Sequence, residues 1–217
     1  MDREVLRLYA ITDRSYLSGR AFSLEAAVEE AIKGGVTIVQ LREKFLDEED
    51  LRGEALLLQR LCARFHVPLI LDDNVRLAME LNCDGVHVGQ NDMSAGEARR
   101  LLGPGKILGV TAKTVEQAKA AEAVGADYLG SGAMFTTSTK PEALPMSWEQ
   151  LRAIAGSVDI PVAAIGGIDI TNASRLKGCG IAGIAVSGGI FGQPDIRQAA
   201  LRLREEAERI AGLQRLG

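Results

Sequence analysis

The chain has 217 residues, enough for one domain with a sizeable core and about the length of a compact barrel. Hydrophobic residues make up 47% and charged residues 25%, as in a soluble globular protein. The formal net charge of -4 argues against bulk attraction to nucleic acid or anionic lipid, so an anionic ligand would need local positive charge.

A first short strand is predicted over residues 6–11, followed by Thr12-Asp13-Arg14. Ser23 caps a helix to about Lys33, which Gly34-Gly35 ends. Strand two spans 36–41, and a long helix runs from Asp47 to about Arg64. Strand three covers 68–71, and a short helix 74–81. Val86-His87-Val88 is strand four. Ser94-x-x-Glu97 is a capping box whose helix stops at Gly103-Pro104. Strand five covers 107–110, and Thr114-x-x-Gln117 opens a helix ending at Gly125. Tyr128-Leu129 centres strand six, and Ser147-x-x-Gln150 caps the sixth helix. Strand seven covers 161–165, helix seven about 171–177, and strand eight 183–186. Pro194 in a first turn opens the last helix, to about Ala211.

Eight strands alternating with eight helices imply a parallel sheet. So many units in so short a chain favour closure: an α/β fold, a (β/α)8 TIM barrel, one domain over residues 1–217. No G-x-G-x-x-G follows the first strand, which counts against a dinucleotide fold. Cys62, Cys83 and Cys179 have no metal-ligand spacing and read as core residues in a reducing compartment. The start shows no signal-peptide pattern, and no apolar run approaches membrane-spanning length. A cytoplasmic protein is expected, with no membrane or nucleic-acid partner.

In such a barrel the polar residues just past each strand are the candidates for function. Gly166-Gly167 and Gly188-Gly189 follow strands seven and eight, where a phosphate usually sits, and glycine lets backbone N–H groups approach an anion. Gln40, Arg42 and Lys44 alternate at the end of strand two and so share a face, offering that anion a basic wall. Asp72-Asp73-Asn74 and Gly89-Gln90-Asn91-Asp92 end neighbouring strands. Carboxylates there can share a hard cation such as Mg2+, or simply cap the next helices. His87 alternates with valines and reads as a packed or hydrogen-bonded core residue. Strand five ends at Thr111. The loop over 131–145 is the longest, with Thr136-Thr137-Ser138-Thr139-Lys140 able to hydrogen-bond an anion or to act as a polar linker. Trp148 reads as packing.

The ordered set V-Q-L-R-E-K, D-D-N, G-V-H-V-G-Q-N-D, L-G-V-T, F-T-T-S-T-K, A-I-G-G-I and A-V-S-G-G-I resembles the thiamine phosphate synthase family over nearly the whole chain. The resemblance implies a Mg2+-dependent transferase. It would join the diphosphate of an aminopyrimidine methanol to a phosphorylated hydroxyethylthiazole, releasing pyrophosphate. By the same resemblance Gln40, Arg42 and Lys44 grip the pyrimidine diphosphate, with Thr111 and Lys140 touching it. Asp73 and Asp92 hold Mg2+. Thr137, Ser138, Thr139, Gly167, Ser187 and Gly188 bind the thiazole phosphate. The partners are small-molecule substrates, and a homodimer stays open. Asp72 stands where the family commonly has Asn; it is expected to accept a hydrogen bond from the aminopyrimidine amino group, provided the backbone bends there. Two loop prolines common in the family are replaced by Ala133 and Thr136. A thiazole tautomerase-like isomerase, or another phosphate-binding barrel enzyme, is the alternative; an isomerase would not need the diphosphate grip or the paired aspartates.

Overall fold

Short apolar runs too brief for helices, most of them followed by a capped helical segment, build a closed ring of parallel strands in chain order. The computed structural model describes residues 1–20, 22–136 and 145–212. The strands are β1 Leu8–Ile11, β2 Ile38–Leu41, β3 Leu69–Asp72, β4 Gly85–Val88, β5 Ile107–Thr111, β6 Tyr128–Gly132, β7 Val162–Ile165 and β8 Gly183–Val186. The helices between them are α1 Leu24–Lys33, α2 Glu48–Arg64, α3 Val75–Glu80, α4 Ala95–Leu102, α5 Val115–Ala123 and α6 Trp148–Ala155, followed after β8 by α7 Gly188–Phe191 and α8 Ile196–Ile210. β1 pairs with β8 as well as β2, with Tyr9 beside both Ile38 and Ala185.

Strand alternation sorts side chains into two cores. Leu8 and Ala10 point out to the helices, where they join the larger apolar layer. Tyr9 and Ile11 point in, with Ile38, Ile70, Tyr128, Ala163 and Ala185. The interior is therefore packed rather than open, as barrels of this size require.

The helix starts follow their sequence signals. Ser23, Asp47, Ser94, Thr114 and Ser147 each accept a backbone N–H from the first turn of their helix. Three expectations shift. The first strand starts at Leu8, because Leu6 lies in a 3-10 turn, Arg3–Leu6, where it is buried without being in the sheet. The seventh helix shrinks to one 3-10 turn, Ala173–Leu176. Asn172 does not cap that turn; it donates to the Gly167 carbonyl at 2.8 Å and accepts from the Asp169 N–H at 3.0 Å, shaping the loop after β7 instead. Pro194 precedes the last helix rather than opening it, since Asp195 is the cap.

Candidate active site

The carboxyl ends of the strands open into a cavity of about 540 Å3, within the range of small-molecule sites. Gln40, Arg42 and Lys44 all line it, as their alternation requires, with Asp72, Asp73, Asp92, Thr111, Gly167, Ser187 and Gly188. Thr137, Ser138, Thr139 and Lys140 lie outside the described residues.

A backbone turn decides the acidic side. Asp73 is left-handed, with φ 60°, a conformation that Asp tolerates better than most residues. The turn breaks strand alternation, so that Asp72 and Asp73 both reach one ammonium. Lys44 Nζ is 3.1 Å from Asp72 Oδ2 and in short contact with Asp73 Oδ2. Arg42 Nε is 3.6 Å from Asp72 Oδ2. The backbone bend that Asp72 needed is thus present, but it sets Asp72 among the cations as their counter-ion. Partial burial disfavours the Lys44 ammonium, yet its bonds to Asp73 and Asp72 prevail and raise its pKa. Helix capping does not account for Asp73 or Asp92: Asn74 caps α3 and Ser94 caps α4. Asp92 Oδ2 instead accepts the Gly89 N–H at 2.8 Å. Partial desolvation and then the neighbouring Asp73 carboxylate raise the Asp92 pKa above its ordinary value.

The opposite wall is glycine. Gly167 has φ 64°, and a Cβ there would stand 2.4 Å from the Thr136 carbonyl oxygen. This contact lays the strand-six loop directly on the strand-seven loop. A Cβ on Gly188 would stand 2.6 Å from Tyr16 Oη, so Tyr16 closes over the start of α7. Ser187 Oγ is buried with no hydrogen-bond partner among the described residues. The first N–H groups of a helix have no partner within it, and the first residues of α7, Gly188 and Gly189, line this end of the cavity.

Sequence reasoning missed Tyr16, Tyr9 and Tyr128. The Gly188-Gly189 pair signalled a close approach but not what approaches. His87 is the hydrogen-bonded core residue expected: it is 8% exposed, with Nδ1 3.1 Å from Tyr128 Oη and Nε2 2.9 Å from Thr111 Oγ1. Gly109 makes this fit possible, because a Cβ there would lie 2.1 Å from Tyr128 Cζ and 2.6 Å from His87 Nδ1. Trp148 packs as expected, edge-on to Phe135 at 5.8 Å between ring centres.

Fold and cavity together define a class: a (β/α)8-barrel protein with a basic, carboxylate-paired and glycine-walled pocket on the face where barrel enzymes carry their active sites. The family model described as thiamine monophosphate synthase matches residues 8–190, and the chain belongs to that family. It is 46% identical over 198 residues to the thiamine-phosphate synthase of Ruminiclostridium cellulolyticum, covering 91% of this chain and 93% of that protein. It is 46% identical to that of Clostridium acetobutylicum over 194 residues, covering 89% and 91%. The thiamine phosphate pyrophosphorylase structure from Pyrococcus furiosus superposes with a TM-score of 0.87 at 36% identity, covering 99% of each chain.

Proposed function

We propose that this chain joins the diphosphate of 4-amino-2-methyl-5-hydroxymethylpyrimidine to 4-methyl-5-(2-phosphoethyl)thiazole, giving thiamine monophosphate and pyrophosphate. The observation that carries the reading is family membership across the barrel, with the basic grip and paired carboxylates present in one cavity. A tautomerase-like isomerase would have no use for that grip, and the relatives named above carry the synthase name.

In the reaction, the bond from the pyrimidine methylene carbon to the diphosphate oxygen breaks, and the thiazole nitrogen forms the new bond to that carbon. The pyrimidine amino group supplies electron density, so the site needs positive charge at the leaving group more than a base. Arg42 offers a fork and Lys44 a mobile charge for the departing pyrophosphate. Lys140 is proposed to join them, and Thr111 to donate a hydroxyl hydrogen bond. Thr137, Ser138 and Thr139, with Gly167, Ser187 and Gly188, are proposed to hold the thiazole phosphate. The buried, unpartnered Ser187 Oγ supports this placement.

The donors suit Mg2+. Asp73 and Asp92 are hard oxygen ligands, and the two carboxylates stand close enough that the charge of one disfavours that of the other. Among the described residues no group of three or more His, Cys, Asp or Glu side chains gathers as a metal cage. Asp73 and Asp92 would thus supply part of an octahedral shell, leaving places for water and diphosphate oxygens. When bound, the ion supplies charge stabilisation to the leaving pyrophosphate.

No helix among the described residues is long and apolar enough to cross a membrane. The cytoplasm is the proposed location, since Cys62, Cys83 and Cys179 are buried free thiols, which persist in reducing compartments. The test is to incubate the protein with Mg2+ and both phosphorylated substrates. Thiamine monophosphate and pyrophosphate should appear in equal amounts; their absence, with either substrate consumed alone, would replace this reading.

A further inference from the structure

A line of hydrogen bonds crosses the barrel interior at the floor of the cavity. Gln40 Nε2 on β2 donates to Tyr9 Oη on β1 at 2.6 Å. Tyr9 Oη is 2.7 Å from Tyr128 Oη on β6. Tyr128 Oη is 3.1 Å from His87 Nδ1 on β4, and His87 Nε2 is 2.9 Å from Thr111 Oγ1 on β5. Tyr9, Gln40, Tyr128 and His87 are all buried; Tyr9, Gln40, His87 and Thr111 border the cavity, and Tyr128 lies behind them.

The donor and acceptor capacities of these groups allow two orders once Gln40 donates through its amide nitrogen. In one of them Tyr9 accepts from both Gln40 and Tyr128, and its own buried proton has no partner among the described residues, which is costly. The other order uses every phenol and imidazole proton within the line. In it Tyr9 accepts from Gln40 and gives its own proton to Tyr128. Tyr128 gives its proton to His87 Nδ1. An imidazole that accepts at Nδ1 carries its proton on Nε2, which donates to Thr111 Oγ1. Thr111 then has its own proton to offer the cavity, while Gln40 turns its amide oxygen to serve as an acceptor. Burial raises the pKa of both phenols well above the ordinary range, so each keeps the proton this order needs.

We propose that Tyr9, Tyr128 and His87 are positioning residues that impose one direction of proton donation across the barrel, so that Thr111 presents an O–H donor and Gln40 an amide oxygen acceptor to the substrate. The proposal rests on the reading of this end of the cavity as the pyrimidine diphosphate site. An aminopyrimidine diphosphate has the matching groups: N–H donors on the ring's amino group and acceptor oxygens on the phosphates. The reverse order would turn the Thr111 oxygen toward the phosphates and set acceptor against acceptor.

Two measurements test it on the full-length protein. Nitrogen NMR of the histidine rings reads the tautomer directly. The chain has two histidines, so a His66→Gln variant assigns the signal of His87. The expected result is a proton on Nε2 and none on Nδ1; a proton on Nδ1 reverses the line and overturns the proposal. The second measurement is steady-state kinetics of Tyr128→Phe, which keeps the ring and removes the link. We expect kcat/KM for the pyrimidine diphosphate to fall about tenfold, the scale of one net hydrogen bond, with KM for the thiazole phosphate unchanged. His87 should then populate both tautomers. Equal losses toward both substrates, or no loss, would overturn it. If Tyr128→Phe fails to fold, Tyr9→Phe breaks the adjacent link and is read in the same way. The tautomer requires no turnover, so an inactive wild-type protein with the expected tautomer would count against the enzyme reading and leave the line standing.

Discussion

Asp72 and Asp73 differ by one peptide unit and do different work. Asp72 sits between Arg42 and Lys44, the cations proposed for the diphosphate, and so competes with the substrate for them. Replacing it by Asn removes that competition while retaining a hydrogen-bonding side chain. Asp72→Asn should lower KM for the diphosphate about two- to fivefold, the range of a partly exposed ion pair, with kcat held. Steady-state kinetics at saturating Mg2+ decides; a raised KM would mean that Asp72 helps hold the substrate itself. Asp73 carries a second burden, its left-handed backbone. Asn tolerates that conformation, whereas Ala meets a steric cost of roughly 1 kcal/mol. Thermal unfolding should therefore leave Asp73→Asn near wild type and lower Asp73→Ala, while both lose about a hundredfold in activity at limiting Mg2+. The sequence showed that Asp72 and Asp73 end a strand, and alternation would have parted them. Only the turn at Asp73, a matter of local φ, brings them together. The polar line through Tyr9, Tyr128 and His87 was hidden for another reason. Alternation says which side chains face inward, but the partners Tyr9 and Tyr128 lie 119 residues apart.

Among the elements, those with their own local signals were legible and those held by tertiary contacts were not. The caps of α1, α4, α5 and α6 were read from single polar residues ahead of their apolar runs, and the start of α2 was placed at Asp47, its cap. α7 had no such mark. Its four residues, Gly188-Gly189-Ile190-Phe191, include two poor helix formers. It is held from outside: Ile190 and Phe191 are fully buried, and Arg20 donates to the carbonyls of Phe191 at 2.9 Å and Gln193 at 2.7 Å. The loop after β1 therefore supports the glycine wall through both Arg20 and Tyr16. Gly188→Val should force Tyr16 aside and raise KM for the thiazole phosphate at least tenfold, with KM for the diphosphate little changed. Initial rates with each substrate varied in turn check this, and equal shifts would misplace the phosphate. Gly53 is the contrasting case. It lies in exposed helix interior in α2, with nothing within 4 Å of an added Cβ. Gly53→Ala should stabilise by about 0.5–1 kcal/mol and raise Tm by about 1–4 °C in calorimetry, with kinetics unchanged.

At the scale of the whole molecule, the number and order of strands were legible because each is a short apolar run between clear turn signals. The one connection that no neighbouring segment announces is the contact of β1 with β8, at Leu8 beside Ile184 and Tyr9 beside Ala185. That contact sets a schedule for the chain as it leaves the ribosome. β1 is made before the other strands, yet one of its two hydrogen-bonding flanks has no partner until residue 186 has been added and cleared the exit tunnel. Until then the growing sheet has two open rims, each a row of unpaired N–H and C=O groups able to capture another nascent chain. A message broken before β8 would leave both rims open for good. Such a fragment would carry most of the apolar shell of the finished barrel without the seam that makes it safe, so it falls to chaperones and proteases rather than folding into a smaller version of the protein.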